Sequence, residues 1–404
     1  MYRMLACSLR TYARLLSAGL LIVGLSFNAA LAQQSDEPLQ QQLDEYIALS
    51  LANNIEAANA LLNDLYQQYY LVQDANSSLA AKVRLMSYQL TSLLYAKQQL
   101  QADTLLSELL ALTEATETPD VLAEIYATEI EYLMYKQELS AAIIKADRLE
   151  LNAEQTTTPR IRYYAHNLLG RLFKADDQYE RALQHFTEAL DAVITTDDQF
   201  TLRRRSFLNY QIALVYSALK KWPEAKVLTE ELIADAKKYQ YKQFLPDLYL
   251  MLGVIVAEQK DYQQAITINQ LGLAAAQENN QPGAELTFQN NLGSIYMEQG
   301  NFTAAEKVLQ SAAKQAKALD DEYSSQLIAF NLAFIDVNKG QHESGLENMR
   351  AAIAYFEKND TKAQFESTLP WLAKAYAVAG KYQLQAQTLQ QQLQLREEIL
   401  TSER

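Results

Sequence analysis

Apolar side chains recur along this chain at helical spacing, and a pair made of an aliphatic and a small residue recurs with them. Successive pairs are 43 residues apart once and then 40 residues apart four times. They stand at Leu169-Gly170, Ile212-Ala213, Leu252-Gly253, Leu292-Gly293, Leu332-Ala333 and Leu372-Ala373. No segment alternates between apolar and polar residues as a strand does. A fixed period of this length predicts a stack of similar helical units, and therefore an all-α solenoid.

Each unit has further regular positions, which are counted from its glycine or alanine. In the unit of Gly293, a large side chain, Tyr296, follows after three residues and an aromatic one, Phe302, after nine. A small residue, Ala305, follows after twelve. Between them, Gly300-Asn301 supplies residues that tolerate positive φ, which ends a helix. The pattern predicts a helical hairpin whose small residues let its two helices approach closely.

The segment Asn290-Asn291-Leu292-Gly293-Ser294-Ile295-Tyr296, followed by Gly300-Asn301-Phe302 and Ala304-Ala305, resembles the tetratricopeptide repeat. The 40-residue period resembles the long-repeat variant of that family, in an exported bacterial type. The resemblance implies a right-handed α-α superhelix of about nine hairpins that grips a partner in its concave groove. It is strongest over residues 163–382. Residues 40–160 resemble degenerate repeats, and residues 384–404 a C-terminal capping helix.

The first residues have a different pattern. Three arginines, Arg3, Arg10 and Arg14, are followed by an apolar stretch from Leu15 to Phe27 and by Ala30-Leu31-Ala32. This is the layout of a secretory signal peptide with an Ala-x-Ala cleavage site. We expect residues 1–32 to be a cleaved signal peptide and the protein to be periplasmic. The alternative is an uncleaved anchor, although the apolar stretch is short for a membrane span.

Composition narrows the class of partner. The chain has 49 acidic and 35 basic residues and a formal net charge of −14. Such acidity argues against nucleic acid as a partner. The single cysteine, Cys7, belongs to the predicted signal peptide, so the rest of the chain has none for disulfides or thiolate ligands.

Catalytic motifs are absent from the sequence, which has no nucleophile elbow, zincin motif or phosphate-binding loop. The three histidines, His166, His185 and His342, are 19 and 157 residues apart, so we expect no metal site. The acidic pairs Asp176-Asp177, Asp197-Asp198 and Asp320-Asp321 fall near turns, where aspartate commonly caps a helix. The sequence therefore predicts neither an enzyme nor a cofactor.

The resemblance implies that the first helix of each hairpin lines the groove, at positions −6, −3, +1 and +4 from the glycine or alanine. We call these the groove positions. Together with three consecutive arginines, they give the candidate partner-binding residues, which are Tyr164, Asn167, Arg171, Arg203, Arg204, Arg205, Phe207, Tyr210, Asn290, Ser294, Phe330 and Phe334. The set around Phe330 and Phe334 is apolar, whereas the set around Arg171 mixes aromatic, amide and cationic groups.

Basic residues cluster near the middle of the groove, at Arg160, Arg162, Arg171 and Arg203-Arg204-Arg205. Arginine forks suit carboxylates, so the cluster is a candidate site for an acidic partner. The alternative is that these arginines pair with acidic residues of the adjoining hairpin.

Two functions fit this sequence. The first is a non-catalytic scaffold of the periplasm that binds a protein or peptide, without nucleic acid, metal or cofactor. The alternative is the periplasmic sensory region of a signalling protein of the diguanylate cyclase or histidine kinase type. Membrane contact is expected only if the signal is uncleaved or the chain continues past residue 404.

Overall fold

The computed structural model describes residues 42–43, 45–46, 55–66, 79–193, 199–359 and 362–402. These residues form α-helices and two short 3₁₀ helices, with no strand among them, which confirms the all-α class. None of the helices they form is both long and apolar enough to cross a membrane. The chain divides into two compact units between Ala225 and Lys226. We call them the N-terminal unit and the C-terminal unit.

The N-terminal unit begins with one helix and continues as three hairpins and the first helix of a fourth. Its helices are α1 (Ile55–Tyr66), α2 (Leu79–Tyr95), α3 (Gln99–Ala111), α4 (Pro119–Tyr135), α5 (Leu139–Gln155), α6 (Pro159–Ala175), α7 (Tyr179–Asp191) and α8 (Gln199–Ala218). A 3₁₀ helix, Leu112–Ala115, follows α3. The predicted signal peptide, residues 1–32, and Asp197-Asp198 lie outside the described residues.

The C-terminal unit begins within α9, and four full hairpins follow that helix. Its helices are α9 (Trp222–Lys238), α10 (Leu245–Glu258), α11 (Tyr262–Glu278), α12 (Pro282–Glu298), α13 (Phe302–Ala318), α14 (Glu322–Asn338), α15 (His342–Lys358), α16 (Lys362–Val378) and α17 (Tyr382–Ser402). A 3₁₀ helix, Lys242–Phe244, precedes α10. The stretch expected to be a separate capping helix, residues 384–404, falls mostly within α17, the second helix of the last hairpin.

The turns inside the hairpins explain the 40-residue period. At the end of α12, Gly300 has φ +71° and donates its N–H to Met297, while Asn301 donates to Tyr296. This pair of bonds is the Schellman motif that closes a helix. The Asn301 side chain then accepts the N–H of Ala304 and so caps α13. Positive φ recurs in the other described hairpin turns, at Lys97, Gln137, Asp177, Lys220, Lys260, Gly340 and Gly380.

Close approach of the two helices explains the glycines inside them. A Cβ atom added at Gly170 would lie 2.6 Å from the ring of Phe186, and one at Gly293 would lie 2.6 Å from Leu309. Phe186 and Leu309 are fully buried on the second helix of their hairpins. The predicted role of the small residues is therefore confirmed at both glycines.

The acidic pairs near turns behave in two ways. Asp321 caps α14, since its side chain accepts the N–H of Ser324, as predicted. The prediction of a cap is wrong for Asp176-Asp177. Asp176 is the C-cap of α6, and Asp177 has φ +56°, so the pair occupies the turn itself.

Candidate functional site

An open, mainly apolar pocket lies in the C-terminal unit. Its volume is about 370 Å³, within the range of ligand sites. It is lined by Met297, Glu298, Gly300, Phe302, Phe334, Asn338, Trp371, Lys374, Ala377, Val378 and Gln385. We call it the aromatic pocket.

The repeat itself builds this pocket. Met297, Phe334 and Trp371 lie on α12, α14 and α16, the first helices of three successive hairpins. They are 37 residues apart in turn, slightly less than one period, so stacking brings one large apolar side chain from each hairpin to the same place. Phe334 was predicted as a groove residue, and Met297 occupies the +4 groove position of its unit.

Aromatic contacts hold the pocket wall in shape. The rings of Phe334 and Trp371 meet edge to face, with their centroids 4.8 Å apart and an interplanar angle of 89°. Phe302 also packs against Phe334, with ring centroids 6.4 Å apart. Such pairs add about 0.5–1.5 kcal/mol beyond their buried area. At the rim, Val378 is 46% exposed, which leaves apolar surface facing water.

The rim of the pocket is charged. The Lys374 ammonium lies 4.4 Å from the centroid of the Trp371 ring and donates a 3.3 Å hydrogen bond to Glu298. The Lys374 side chain is 54% exposed, and an exposed ion pair of this kind contributes only about 0–1 kcal/mol. Lys374 can therefore exchange Glu298 for an anionic group of a ligand at little cost.

Amide side chains lie on the same helices. The side chain of Asn331 on α14 donates a 2.8 Å hydrogen bond to Asn290 on α12. Asn290 is half-buried, as a lining residue would be. Two other predicted groove residues are not at the surface, because Ser294 is 2% exposed and Phe330 is fully buried in the core.

The groove positions of α6, in the N-terminal unit, are closed by internal bonds. Glu131 on α4 accepts a 2.8 Å hydrogen bond from the hydroxyl of Tyr164 and a 3.4 Å bond from Arg171. Burial raises the pKa of the Glu131 carboxyl, and the Arg171 guanidinium and the Tyr164 hydroxyl oppose this shift. Asn167 is 1% exposed, so it offers almost no surface.

A second cluster of charged side chains lies on α2, α4 and α6. Glu124 on α4 pairs with Arg160 on α6 at 2.5 Å and with Arg84 on α2 at 3.4 Å. Burial alone would raise the pKa of Glu124, but the two guanidinium groups lower it overall. All three side chains are nine-tenths buried or more. For Arg160 and Arg171, the structure thus favours pairing within the protein over binding an acidic partner.

The other candidate residues lie on α8. Arg204 is buried with its guanidinium 5.3 Å from the centroid of the Tyr163 ring, Arg203 is half-buried and Arg205 is exposed. Phe207 is 8% exposed and Tyr210 is half-buried. Arg205 is therefore the one of the three consecutive arginines that faces water most fully.

Some pocket residues were not predicted from the sequence. Trp371, Lys374 and Val378 are not among the candidate partner-binding residues. Lys374 is the +1 groove position of the Ala373 unit, so the rule that gave Phe334 also gives Lys374 when it is carried one unit further. Trp371 and Val378 lie off the four offsets, and only the stacking of three hairpins places them at the pocket.

Two of the three histidines, whose separation in the sequence led us to expect no metal site, are in contact. The Nδ1 atoms of His166 on α6 and His185 on α7 are 3.0 Å apart. The hairpin turn folds α7 back along α6, which brings these two positions, 19 residues apart, together.

Comparisons with known proteins agree with this fold. Sequence models described as Tetratricopeptide repeat match residues 165–199 and 286–315. No curated protein matches the chain. The two matched segments therefore contain tetratricopeptide repeats, and the described residues have the all-α helical-repeat fold of such proteins, whereas nothing here supports the exported type.

Solved structures match nearly the whole chain at low identity. The apo form of RapI has a TM-score of 0.74 at 13% identity, covering 90% of this chain and 98% of its own. Aspartyl phosphate phosphatase F from Bacillus subtilis has a TM-score of 0.62 at 14% identity, covering 91% and 96%. The Rap conjugation gene regulator of the plasmid pLS20, in complex with the Phr* peptide, has a TM-score of 0.50 at 12% identity, covering 89% and 95%. At such identity the similarity is one of fold.

The predicted periplasmic localisation is wrong in the light of these structures. They belong to a plasmid gene regulator and to Rap and phosphatase proteins, and none of them is described as exported. Residues 1–32, on which that prediction depended, lie outside the described residues, so it rested on the pattern of the sequence alone.

Proposed function

We propose that this protein is a non-catalytic tetratricopeptide-repeat scaffold that binds a peptide, one apolar side chain of which enters the aromatic pocket. The observation that carries this proposal is the pocket itself, whose wall is aromatic and whose mouth is apolar and open. Support also comes from the Rap regulator of similar fold, which is described in complex with a peptide.

The chemistry of the pocket favours a large apolar side chain. Met297, Phe334 and Trp371 line the pocket with a polarisable thioether and two aromatic rings, which suit aromatic or long aliphatic groups. They are 4%, 5% and 3% exposed, so Val378, at 46%, contributes more of the apolar surface that a ligand meets. Partners of proteins commonly anchor themselves by a few such side chains in central pockets. A volume of about 370 Å³ holds one large side chain with adjoining backbone.

The rim favours a peptide over an isolated apolar compound. Lys374 can pair with a carboxylate of the ligand, and Asn338 and Gln385 add amide groups at the pocket lining. Upstream on the same helices, Asn290 is half-buried and is held by a hydrogen bond from Asn331, which is 1% exposed, so Asn290 is the one of the two that can contact peptide backbone. A single apolar anchor flanked by polar contacts is typical of peptide recognition.

Selection of peptides from a random displayed library tests this proposal. Val378→Arg places a long charged side chain at the pocket mouth, at a site that is already 46% exposed, so the fold should tolerate it. Val227→Arg is the matched control, because Val227 is 56% exposed and is not among the pocket residues. We expect the wild type to enrich peptides with an aromatic or aliphatic anchor.

The affinities of those peptides decide the outcome. We expect Val378→Arg to weaken binding by at least about tenfold, which is about 1.4 kcal/mol, and Val227→Arg to leave it unchanged. Failure to enrich any peptide, or equal binding by both variants, would contradict the proposal.

The alternative function, the sensory region of a diguanylate cyclase or histidine kinase, has no support from the comparisons. The absence of enzyme activity stays a prediction, because one protein of similar fold is described as an aspartyl phosphate phosphatase. No observation in the described residues favours such an activity here.

A further inference from the structure

A cluster of metal-ligating groups lies inside the hairpin of α6 and α7, in the N-terminal unit. His166 comes from α6, and His185 and Glu188 come from α7. The two imidazole rings stack with their centroids 5.3 Å apart, and each is 1% exposed. A hairpin interior of this family is filled by apolar packing, so two buried histidines with a carboxylate call for a chemical explanation.

The distances in the cluster match a metal site. The two Nδ1 atoms are 3.0 Å apart, and Glu188 Oε2 lies 2.9 Å from Nδ1 of His166 and 4.0 Å from Nδ1 of His185. A triangle with these sides has a point about 2.0 Å from all three corners. Zinc–nitrogen and zinc–oxygen bonds are about 2.0–2.2 Å long. Because tetrahedral zinc holds its ligand atoms about 3.3 Å apart, a zinc ion fits once the partly exposed Glu188 side chain brings its oxygen closer to Nδ1 of His185.

His185 also has the outer contacts of a metal ligand. Its Nε2 lies 3.3 Å from a carboxylate oxygen of Glu150, which is paired with Arg181 at 3.1 Å. A proton on Nε2 donated to Glu150 leaves the lone pair of Nδ1 directed at the cluster. Such a carboxylate–histidine pair is the usual support of a metal-bound histidine. The Phe173 ring stacks on His185 and fixes its plane.

Charge and access also fit a cation. Glu188 and Glu150 bring two carboxylates to two rings, Arg181 is paired with Glu150, and Arg162 adds a positive charge near His166. The Glu188 side chain is 30% exposed, which gives an ion a way in from water.

We propose that His166 Nδ1, His185 Nδ1 and a carboxylate oxygen of Glu188 bind one Zn²⁺ ion, which fixes α7 against α6. Zinc is the choice because imidazole suits borderline metals, whereas Mg²⁺ and Ca²⁺ require oxygen ligands. One of the two ligand helices, α6, also carries Tyr164 and Arg171, so the ion stiffens the helix that holds these groove positions.

The two histidines differ as ligands. When His166 binds through Nδ1, its proton moves to Nε2, which is buried and has no hydrogen-bond partner among the described residues. His185 keeps its proton on Nε2, beside Glu150. His185 is therefore the stronger ligand, and the loss of its side chain should weaken zinc binding more than the loss of His166.

Zinc titration of the full chain, free of any histidine tag and stripped with a chelator, tests this site. We expect one Zn²⁺ bound per chain, a higher thermal midpoint with zinc, and visible d–d absorption when Co²⁺ replaces it. Glu188→Gln, which alters a partly exposed side chain, should weaken zinc binding by at least about tenfold. Glu150→Gln, which changes no ligand, should weaken it by about tenfold.

The control is His342→Gln, which removes the third histidine of the chain and lies in the C-terminal unit. It should bind zinc like the wild type. The proposal is overturned if the wild type binds no stoichiometric zinc, if Glu188→Gln binds it as tightly as the wild type, or if His342→Gln loses it. Circular dichroism of each variant shows that the helices are intact, so a loss of binding is assigned to the ligand.

Discussion

The two units use the same hairpin but line their groove positions differently. In the N-terminal unit these positions hold charged side chains that pair with one another, as Glu131 does with Arg171. In the C-terminal unit three hairpins contribute Met297, Phe334 and Trp371 to an open apolar pocket. The repeat therefore determines which positions of successive hairpins come together. The side chains at those positions determine whether they bond to one another, as in the N-terminal unit, or line an open pocket, as in the C-terminal unit.

The largest expected effect distinguishes the buried charges from the exposed ones. Glu124→Gln removes the carboxylate that the buried Arg160 and Arg84 share, so we expect the free energy of unfolding to fall by about 3–5 kcal/mol. The matched change in the C-terminal unit, Glu298→Gln, removes the partner of an exposed lysine and should cost under about 1 kcal/mol. Urea unfolding of both variants measures the difference. Equal losses of unfolding free energy in the two variants would contradict this difference between the two units.

The next effect depends on pH. Burial raises the pKa of Asp247, at the −6 groove position of α10, to about 7 from 3.8. The unfolded chain ionises first, so the native state loses stability as pH rises from about 4 to 7, and the loss stays constant above 7. The full shift corresponds to about 4 kcal/mol, which partial exposure of the side chain reduces to about 2 kcal/mol.

Asp247→Asn removes that titration. The gain in unfolding free energy over wild type should therefore be near zero at acidic pH and reach about 2 kcal/mol in mildly alkaline buffer. Urea unfolding at both pH values measures it. A gain that is the same at both pH values would contradict a raised pKa.

Close helix contacts should give a smaller effect in both units. At Gly170 an added Cβ meets the ring of Phe186, whereas at Gly293 it meets Cδ2 and Cγ of the smaller Leu309, and both side chains are fully buried. Overpacking costs about 1–3 kcal/mol, and the helix propensity of alanine returns about 1 kcal/mol. We expect net losses of about 2 kcal/mol for Gly170→Ala and about 1 kcal/mol for Gly293→Ala, measured by thermal unfolding. A gain in stability at either site would refute the contact.

The smallest effect concerns the turns, which the two units share. Gln137 and Lys260 have φ of +62°, where glycine fits better than other residues. Gln137→Gly and Lys260→Gly should each raise the free energy of unfolding by about 0.5–1 kcal/mol, after the entropic cost of glycine. Thermal unfolding should give the same sign in both units. Changes in stability of opposite sign would mean that the hairpin turns of the two units differ in conformation.

The fold could be predicted from the sequence because each feature of the repeat has a local cause. Gly300-Asn301 signals a helix end without knowledge of any partner, and the spacing of Gly293 from Ala305 signals a close pair of helices. The prediction of a helix cap was wrong at Asp176-Asp177. The same turn contains the end of α6 and the start of α7, and this pair lies at the end of α6 instead of capping the start of α7.

The site could be predicted only in part, because it depends on which residues of different hairpins meet. Phe334 follows from its offset, but Trp371 does not, and Phe330, which also follows from an offset, is buried in the core. Pairing is equally non-local. Pairing of Arg160 with an acidic residue of the adjoining hairpin was the stated alternative, but nothing in the sequence around Arg160 indicates that Glu124, 36 residues earlier, is that residue.

The most direct test of the central claim is a crosslinking measurement that compares the two units. A photoreactive residue is placed at Val378, beside the aromatic pocket, or at Arg205, an exposed position of the N-terminal unit, and a peptide selected from the library is added. The account predicts that mass spectrometry finds the peptide attached through position 378 and not through position 205. Attachment through position 205 alone would contradict it.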